Sequence, residues 1–285
     1  MADVIFPNGK GMRGAVGRRL SQALRSYYCG PDHPMKLRLW GWLRNLQQHR
    51  KLTVTYCNRG WLTLDERDLV QRYVLREGFY EPEVWDALFK FATHSEVLWD
   101  IGGHIGTFTV RSALDCRVRL VHTFEPDPVT FEALENNVRV NSLGNTCRIH
   151  RCALGSENCA TTLYRGPVHN IGLSSIDVRP TSEGHRVLCR SIDDLVFRDG
   201  LEPPTLVKID VEGFEEKVLI GAERLLRELP PKAIAIEALS DESTQIVERS
   251  LVHCLKSFHF DLRWIPRPSG IVHARENYIA ARLCP

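Results

Sequence analysis

The sequence predicts an α/β fold: a mostly parallel sheet with helices on both faces and an antiparallel edge, preceded by an N-terminal helical extension and a hairpin. Three observations carry this. From Glu96 onward, short apolar runs alternate with amphipathic stretches, the signature of repeated β-α units. Two late strand-like runs, at 260–264 and 278–282, supply a closing hairpin and so an antiparallel edge. The length of 285 residues suits one such domain plus an extension.

Element by element, residues 13–28 form a basic helical stretch ended by Gly30-Pro31. Residues 35–48 form a second amphipathic stretch, with Leu37, Trp40, Leu43 and Leu46 spaced three apart. It reads as a core-facing helix, or as a membrane or lid helix, since Trp and Leu oppose Lys and Arg. Residues 53–56 and 61–64 flank Asn58-Arg59-Gly60 and predict a hairpin. Asp65 is the expected cap of a helix running to about Arg76 and ended by Gly78. Another helix starts at Pro82. These segments predict an extension over 1–52, a lead-in over 53–95 and a main domain over 96–285.

Within the main domain the expected strands are 97–101, 120–124, 146–153, 206–209 and 233–237. Helices are expected over 105–114, 128–141, 214–229 and 241–255. Asp127 is the natural cap of the second. An irregular stretch between the third and fourth strands holds strand-like pieces at 161–164 and 186–189.

Composition excludes several classes. Hydrophobic residues make up 43% and charged residues 25% of the chain, enough for a large core. No apolar run approaches the ~20 residues that span a bilayer, and the opening residues lack a signal-peptide core. Nine scattered cysteines contain no C-x-x-C pair and predict a reducing, cytoplasmic setting. Cys147, His150 and Cys152 are close in sequence, but a strand sends residues 147 and 152 to opposite faces, and no His, Asp or Glu set has metal-ligand spacing, so no metal site is expected. Net charge is +2, yet residues 1–60 carry eleven Lys/Arg against Asp3 and Asp32. That basic arm is either a solvated face or a contact for an anionic partner such as RNA.

The chemistry concentrates at strand ends, where ligands of such sheets bind. The first strand runs into Asp100-Ile101-Gly102-Gly103-His104-Ile105-Gly106. Glycines permit a sharp turn and close approach. A dinucleotide loop requires G-x-G-x-x-G. Here Gly102 and Gly106 are four apart and follow an acid, which repels a pyrophosphate and suits the α-ammonium of a methionine moiety. The second strand ends in Phe124-Glu125-Pro126-Asp127. Glu125, 25 positions after Asp100, is placed to accept both hydroxyls of a ribose. The third strand ends in Cys152-Ala153-Leu154-Gly155, so Ala153 and Leu154 are expected against the adenine.

Taken in order, these segments resemble the FkbM family of methyltransferases, which use S-adenosylmethionine (SAM). The resemblance runs through Gly78-Phe79-Tyr80-Glu81-Pro82-Glu83, the 100–106 loop and Phe124-Glu125-Pro126-Asp127 with Asn136-Asn137 and Asn141. It continues through Cys152-Ala153-Leu154-Gly155, Ser174-Ser175, Ser191-Ile192-Asp193-Asp194-Leu195 and Lys208-Ile209-Asp210-Val211-Glu212-Gly213. It covers roughly residues 55–240. It implies a Rossmann-like class I methyltransferase sheet, SAM as cofactor, and O-methylation of a sugar, polyketide or other small molecule. One departure is visible: Gly103-His104 stands where the family's loop has Ala-Asn.

Methyl transfer to a hydroxyl requires alignment and removal of a proton. Asp210 and Glu212, two apart after the fourth strand, share a face if the chain is extended, with Lys208 two residues earlier. They are candidates for general base or for orienting the acceptor. His169, with Asn170, Ser174 and Ser175, is a second candidate base on the irregular loop. Tyr80 and Glu81 are expected to close the site, and Glu237 ends the fifth strand. The acceptor is expected to be a small molecule or glycan. An RNA- or protein-directed methyltransferase using the basic arm, and a non-catalytic SAM-binding module, are the alternatives. Pro203-Pro204 precedes the fourth strand and cannot serve the turn that nucleobase N-methylation uses after it.

Overall fold

The computed structural model describes residues 51–164, 176, 184–267 and 275–282, apart from 58, 66 and 242. The expected helices at 13–28 and 35–48, together with His169, Asn170, Ser174 and Ser175, lie outside the described residues. The chain divides into two compact units, one ending at Tyr80 and the other beginning at Glu81.

In the first unit, β1 (Lys51–Tyr56) and β2 (Gly60–Asp65) pair antiparallel. Alternate residues of β2 are buried, as a strand with one packed face requires. Helix α1 (Leu69–Glu77) follows and ends at Gly78 in a left-handed conformation, φ 81°. Its cap is Asp68, whose Oδ1 accepts the Gln71 N–H at 3.0 Å, not Asp65. Asp65 is still part of β2, too early to reach the first turn, and its carboxylate takes Arg67 instead.

The second unit opens with α2 (Pro82–Phe89). A seven-stranded sheet follows, ordered β11-β12-β10-β9-β3-β4-β5. Its strands are β3 (Glu96–Ile101), β4 (Val118–Phe124), β5 (Cys147–His150), β9 (Leu206–Ile209), β10 (Ala233–Leu239), β11 (Phe260–Trp264) and β12 (Arg275–Arg282). All neighbours are parallel except β12, which runs antiparallel to both β10 and β11. The expected antiparallel edge is therefore present. Helices α3 (Thr107–Ala113), α4 (Pro128–Val140), α5 (Ile192–Phe197), α6 (Glu215–Ile220), α7 (Glu223–Glu228) and α8 (Arg249–Ser257) complete the unit. Among the described residues no helix is long and apolar enough to cross a membrane.

Three expected elements differ. The third strand splits: β5 joins the main sheet, whereas β6 (Ala153–Leu154) joins a small sheet with β7 (Cys159–Tyr164) and β8 (Gly184–Arg190). A tight turn, with the Cys152 N–H on the His150 carbonyl at 3.0 Å, separates the two. The helix expected over 214–229 breaks into α6 and α7 at Gly221, where a Cβ would stand 1.9 Å from the Gly155 carbonyl oxygen. Asp193 caps the restart, its carboxylate accepting the N–H groups of Arg224 and Leu225 at 2.8 Å. Helix α8 begins eight residues late because Asp241 holds a turn, accepting the Ser243 and Gln245 N–H groups at 2.9 Å.

One apolar core cluster lies on one face of the sheet, while Leu98, Val121 and Leu206 are buried on the other. Trp99, Ile101, Phe124, Val207, Ile209 and Ile236 pack with Leu195, Val218 and Leu251 from the helices. Each such fully buried side chain contributes about 1.5–3 kcal/mol. Every residue of β3 is buried, so its alternate residues, Asp100 among them, point to the opposite face. That face carries the chemistry.

Candidate functional site

Register assembles the site. Phe124 pairs with Ile101, Ile101 with Ile209, and Ile209 with Ile236. Side chains alternate along strands, so two polar tiers form on the face opposite the core. The lower tier is Thr123, Asp100, Lys208 and Ala235, which pair in that order. The upper tier, two residues on at the carboxyl ends, is Glu125, Gly102, Asp210 and Glu237. Asn277 of β12 pairs with Glu237 and extends that tier.

The lower tier is buried. Asp100 is 0% exposed. Its Oδ2 accepts the Thr109 hydroxyl at 2.6 Å, and its Oδ1 lies 4.0 Å from the Lys208 ammonium. Burial raises the Asp100 pKa, opposed by Lys208 and the Thr109 bond. Lys208 also donates to Asp210 Oδ2 at 2.9 Å. Burial works against its charge, yet the carboxylates of Asp210, Asp100 and Glu81 hold its pKa above the ordinary lysine value. Asp100 thus sits beneath the glycine bend as a support. Within the chain, Lys208 supplies an ammonium beside it.

Above it, the bend uses three left-handed residues: Gly102 at φ 84°, His104 at 49° and Gly106 at 87°. A Cβ at Gly102 would stand 1.8 Å from the Asp210 carbonyl oxygen, and one at Gly103 would stand 2.1 Å from Thr123 Cγ2. The glycines therefore let the bend lie directly on its neighbouring strands. A left-handed histidine costs of order 1–3 kcal/mol, and Glu125 offsets this by accepting the His104 N–H at 2.8 Å. Glu125 Oε1 accepts the Asp127 N–H at 2.9 Å and the Thr130 hydroxyl at 2.8 Å. Burial pushes the Glu125 pKa up to about 7 against these bonds.

At the other end of the row, ligand oxygens of Asp210, Glu212 and Glu237 all lie within 4.8 Å of one another. Glu212 and Gly213 turn the chain at φ 53° and 100°, so Glu212 reaches its neighbours by a bend and not by strand alternation. Arg275 bridges Glu237 Oε2 at 2.8 Å and Glu215 Oε2 at 2.7 Å. Asn277 donates to Glu81 Oε1 at 3.1 Å, while the buried Glu81 Oε2 has no hydrogen-bond partner. Burial first, then the charge of Asp210, lifts the pKa of Glu81 to about 7, of Glu212 to about 8 and of Glu237 to about 9.

Most expected residues meet here: Glu81, Asp100, Gly102, Gly103, His104, Gly106, Glu125, Lys208, Asp210, Glu212 and Glu237. Pro126 is half-buried where β4 leads into α4. Ala153 pairs with Cys189 in the small sheet. The Leu154 side chain belongs to the main core, which leaves only its backbone for a ligand. Tyr80 belongs to the first unit, where its ring meets Tyr73 edge-on at 6.4 Å. The sequence reading missed Arg275, Asn277 and Glu215. Arg275 and Asn277 alternate on β12 ahead of the apolar run that marked that strand, and their alternation was the available signal.

The strand order and the acid-lined carboxyl edge define a class I methyltransferase fold. The chain belongs to the FkbM methyltransferase family, with residues 100–265 matching the methyltransferase FkbM domain. It is 30% identical over 159 residues to the hexuronic acid methyltransferase AglP of Haloferax volcanii, covering 55% of this chain and 63% of that protein. It is 27% identical over 158 residues to the 31-O-demethyl-FK506 methyltransferase FkbM of Streptomyces tacrolimicus, covering 45% and 60%. The chain thus spans under two thirds of the length of these relatives. It is also similar to a crystal structure of a methyltransferase FkbM from Methylobacillus flagellatus KT, at 18% identity and TM-score 0.47, covering 94% of this chain and 60% of that one.

Proposed function

We propose that this protein is a SAM-dependent O-methyltransferase acting on a hydroxyl of a sugar or other small molecule. The observation that carries the reading is the set of carboxylates at the sheet's carboxyl edge: Glu125 and Asp210, each one residue past the last paired position of its strand, and Glu237, one residue past the β9–β10 pairing. Such a row of acids disfavours a pyrophosphate, whereas a cation beside it draws the acids into their charged form and is attracted by them. SAM bears a sulfonium and an ammonium against one carboxylate, so it fits where a dinucleotide does not.

The chain's residues fit the cofactor at two further points. Glu125 Oε2 accepts one N–H and, with two lone pairs, retains capacity for a ribose hydroxyl. The bend of Gly102 to Gly106 lies directly on the neighbouring strands, so its backbone is held beside Asp210 at the sheet's carboxyl edge. When bound, SAM supplies the methyl group on sulfur.

Asp210 and Glu212 are the residues assigned to the acceptor. Lys208 anchors Asp210 from below at 2.9 Å, and Glu212 turns toward it through its left-handed backbone. A carboxylate here holds the acceptor hydroxyl in line or takes its proton; such groups contribute about 10²–10⁴ in rate. The names of the relatives, a hexuronic acid methyltransferase and a 31-O-demethyl-FK506 methyltransferase, support an oxygen acceptor on a small molecule.

The test is transfer of label from methyl-tritiated SAM to a panel of hexuronic acids, neutral sugars and macrolide alcohols. The expected product is an alkali-stable methyl ether. Label recovered only as an alkali-labile ester, or on nitrogen, contradicts hydroxyl methylation.

A further inference from the structure

The cluster at the end of β9 and β10 has a feature that acceptor binding does not explain. Three carboxylates from two strand ends and one turn bring an oxygen each within 4.8 Å of the others. Oxygens sharing a hard divalent ion, with bonds of 2.1–2.5 Å, lie at most about 4 to 5 Å apart. A fourth carboxylate, Glu81, is 8% exposed and its buried Oε2 carries no hydrogen bond. Its other oxygen is held by Asn277, which pairs with Glu237 across β10 and β12 and so shares its face. Glu81 therefore lies over the same face as the three, and it interacts electrostatically with Asp210 and Glu212.

Among the described residues the neighbouring cations are outnumbered by the acids, and Arg267, which acts on Glu81, is itself bridged to Glu276. Lys208 is shared between Asp210 and Asp100, and Arg275 between Glu237 and Glu215. Lys208 occupies only Oδ2 of Asp210, and Arg275 only Oε2 of Glu237. Partly buried negative charge in excess of its counter-ions is costly. An all-carboxylate set selects hard cations over zinc or copper.

We propose that Asp210, Glu212 and Glu237 bind one divalent cation of the Mg²⁺, Mn²⁺ or Ca²⁺ class, with the buried Glu81 oxygen turned toward it. The site stands on these carboxylates alone. Its use rests on the methyl-transfer reading: the ion's open positions take two adjacent oxygens of the acceptor, as in a vicinal diol or a hydroxyl beside a carboxylate. The three carboxylates then hold the acceptor through the ion.

The experiment titrates Mn²⁺ into the EDTA-treated full chain without SAM or acceptor, following the free-ion electron paramagnetic resonance signal. The expected result is one bound Mn²⁺ per chain, displaced by Mg²⁺ or Ca²⁺. Glu212→Gln and Glu237→Gln each weaken binding tenfold or more, whereas Glu223→Gln on the surface of α7 leaves it unchanged. Melting curves identify a variant that fails to fold, and the other then decides. No binding up to about 1 mM Mn²⁺, or equal binding in folded Gln variants, overturns the site. Calorimetry with S-adenosylhomocysteine in EDTA separates the two readings: binding there with no Mn²⁺ site overturns the ion and keeps the methyltransferase, and no binding overturns the methyltransferase reading itself.

Discussion

The two ends of the carboxylate row are built differently. At the Glu125 end, the chain satisfies the acid itself: two N–H groups and a hydroxyl converge on one carboxylate. At the Asp210 end, acids face acids, and each cation is divided between two of them. The first end is organised before any ligand arrives, and hydrogen bonds fixed in advance suit a cofactor that is the same in every turnover. The second end holds charge that a ligand, an ion or a proton must relieve, which suits the place where chemistry occurs.

The comparison breaks most visibly at Asp210. Asp210→Asn is expected to lower methyl transfer by about 10²–10⁴-fold while S-adenosylhomocysteine affinity stays within about threefold, read by kinetics and calorimetry. Equal loss of both would erase the distinction between the two ends. Next in size, Glu125→Ala removes the acceptor of the His104 and Asp127 N–H groups. Leaving them unmet costs about 1–3 kcal/mol, a weakening of S-adenosylhomocysteine binding by roughly 5–150-fold.

The pH response sharpens the contrast further. The Glu125 pKa is raised to about 7, so the folded state holds its proton where the unfolded chain has lost it. The stability this contributes is fully present below about 4.5 and is lost as pH rises through about 7. Glu96 is the opposite case: Lys232 and Thr205 outweigh its burial and lower its pKa to about 2. Its stability is present above about 4.5 and lost toward pH 2. Glu125→Gln is therefore expected to flatten the decline in melting temperature between pH 5 and 8 and leave the acid limb in place. An unchanged decline between pH 5 and 8 would remove Glu125 as its source.

The smallest effect belongs away from the row. Asp193→Ala removes the cap of α7 and is expected to cost about 1 kcal/mol of stability, with cofactor affinity unchanged. Thermal melts and calorimetry on one preparation check both halves of that statement.

The sequence made the Glu125 end legible and the Asp210 end only partly so. The glycine bend, Glu125 and the cap at Asp127 are contiguous runs whose local chemistry dictates their conformation. The break at Gly221 was hidden because its cause, the Gly155 carbonyl, is distant in sequence. For the same reason the meeting of Glu237 with Asp210 and Glu212 was invisible, since spacing within one segment cannot report a neighbour on the adjacent strand. Asp100 was read as the neighbour of a ligand's ammonium, and the fold also places an ammonium of the chain beside it. Lys208, two residues before Asp210 in the sequence, pairs with Asp100 across the β3–β9 register and supplies the positive charge.

The central claim is that the row of strand-end carboxylates selects a cationic nucleoside cofactor over an anionic dinucleotide. Parallel calorimetric titrations of the full chain with SAM and with NAD test it directly. Saturable SAM binding with no heat from NAD is the predicted result; NAD binding as tightly as SAM, or SAM failing to bind, contradicts it.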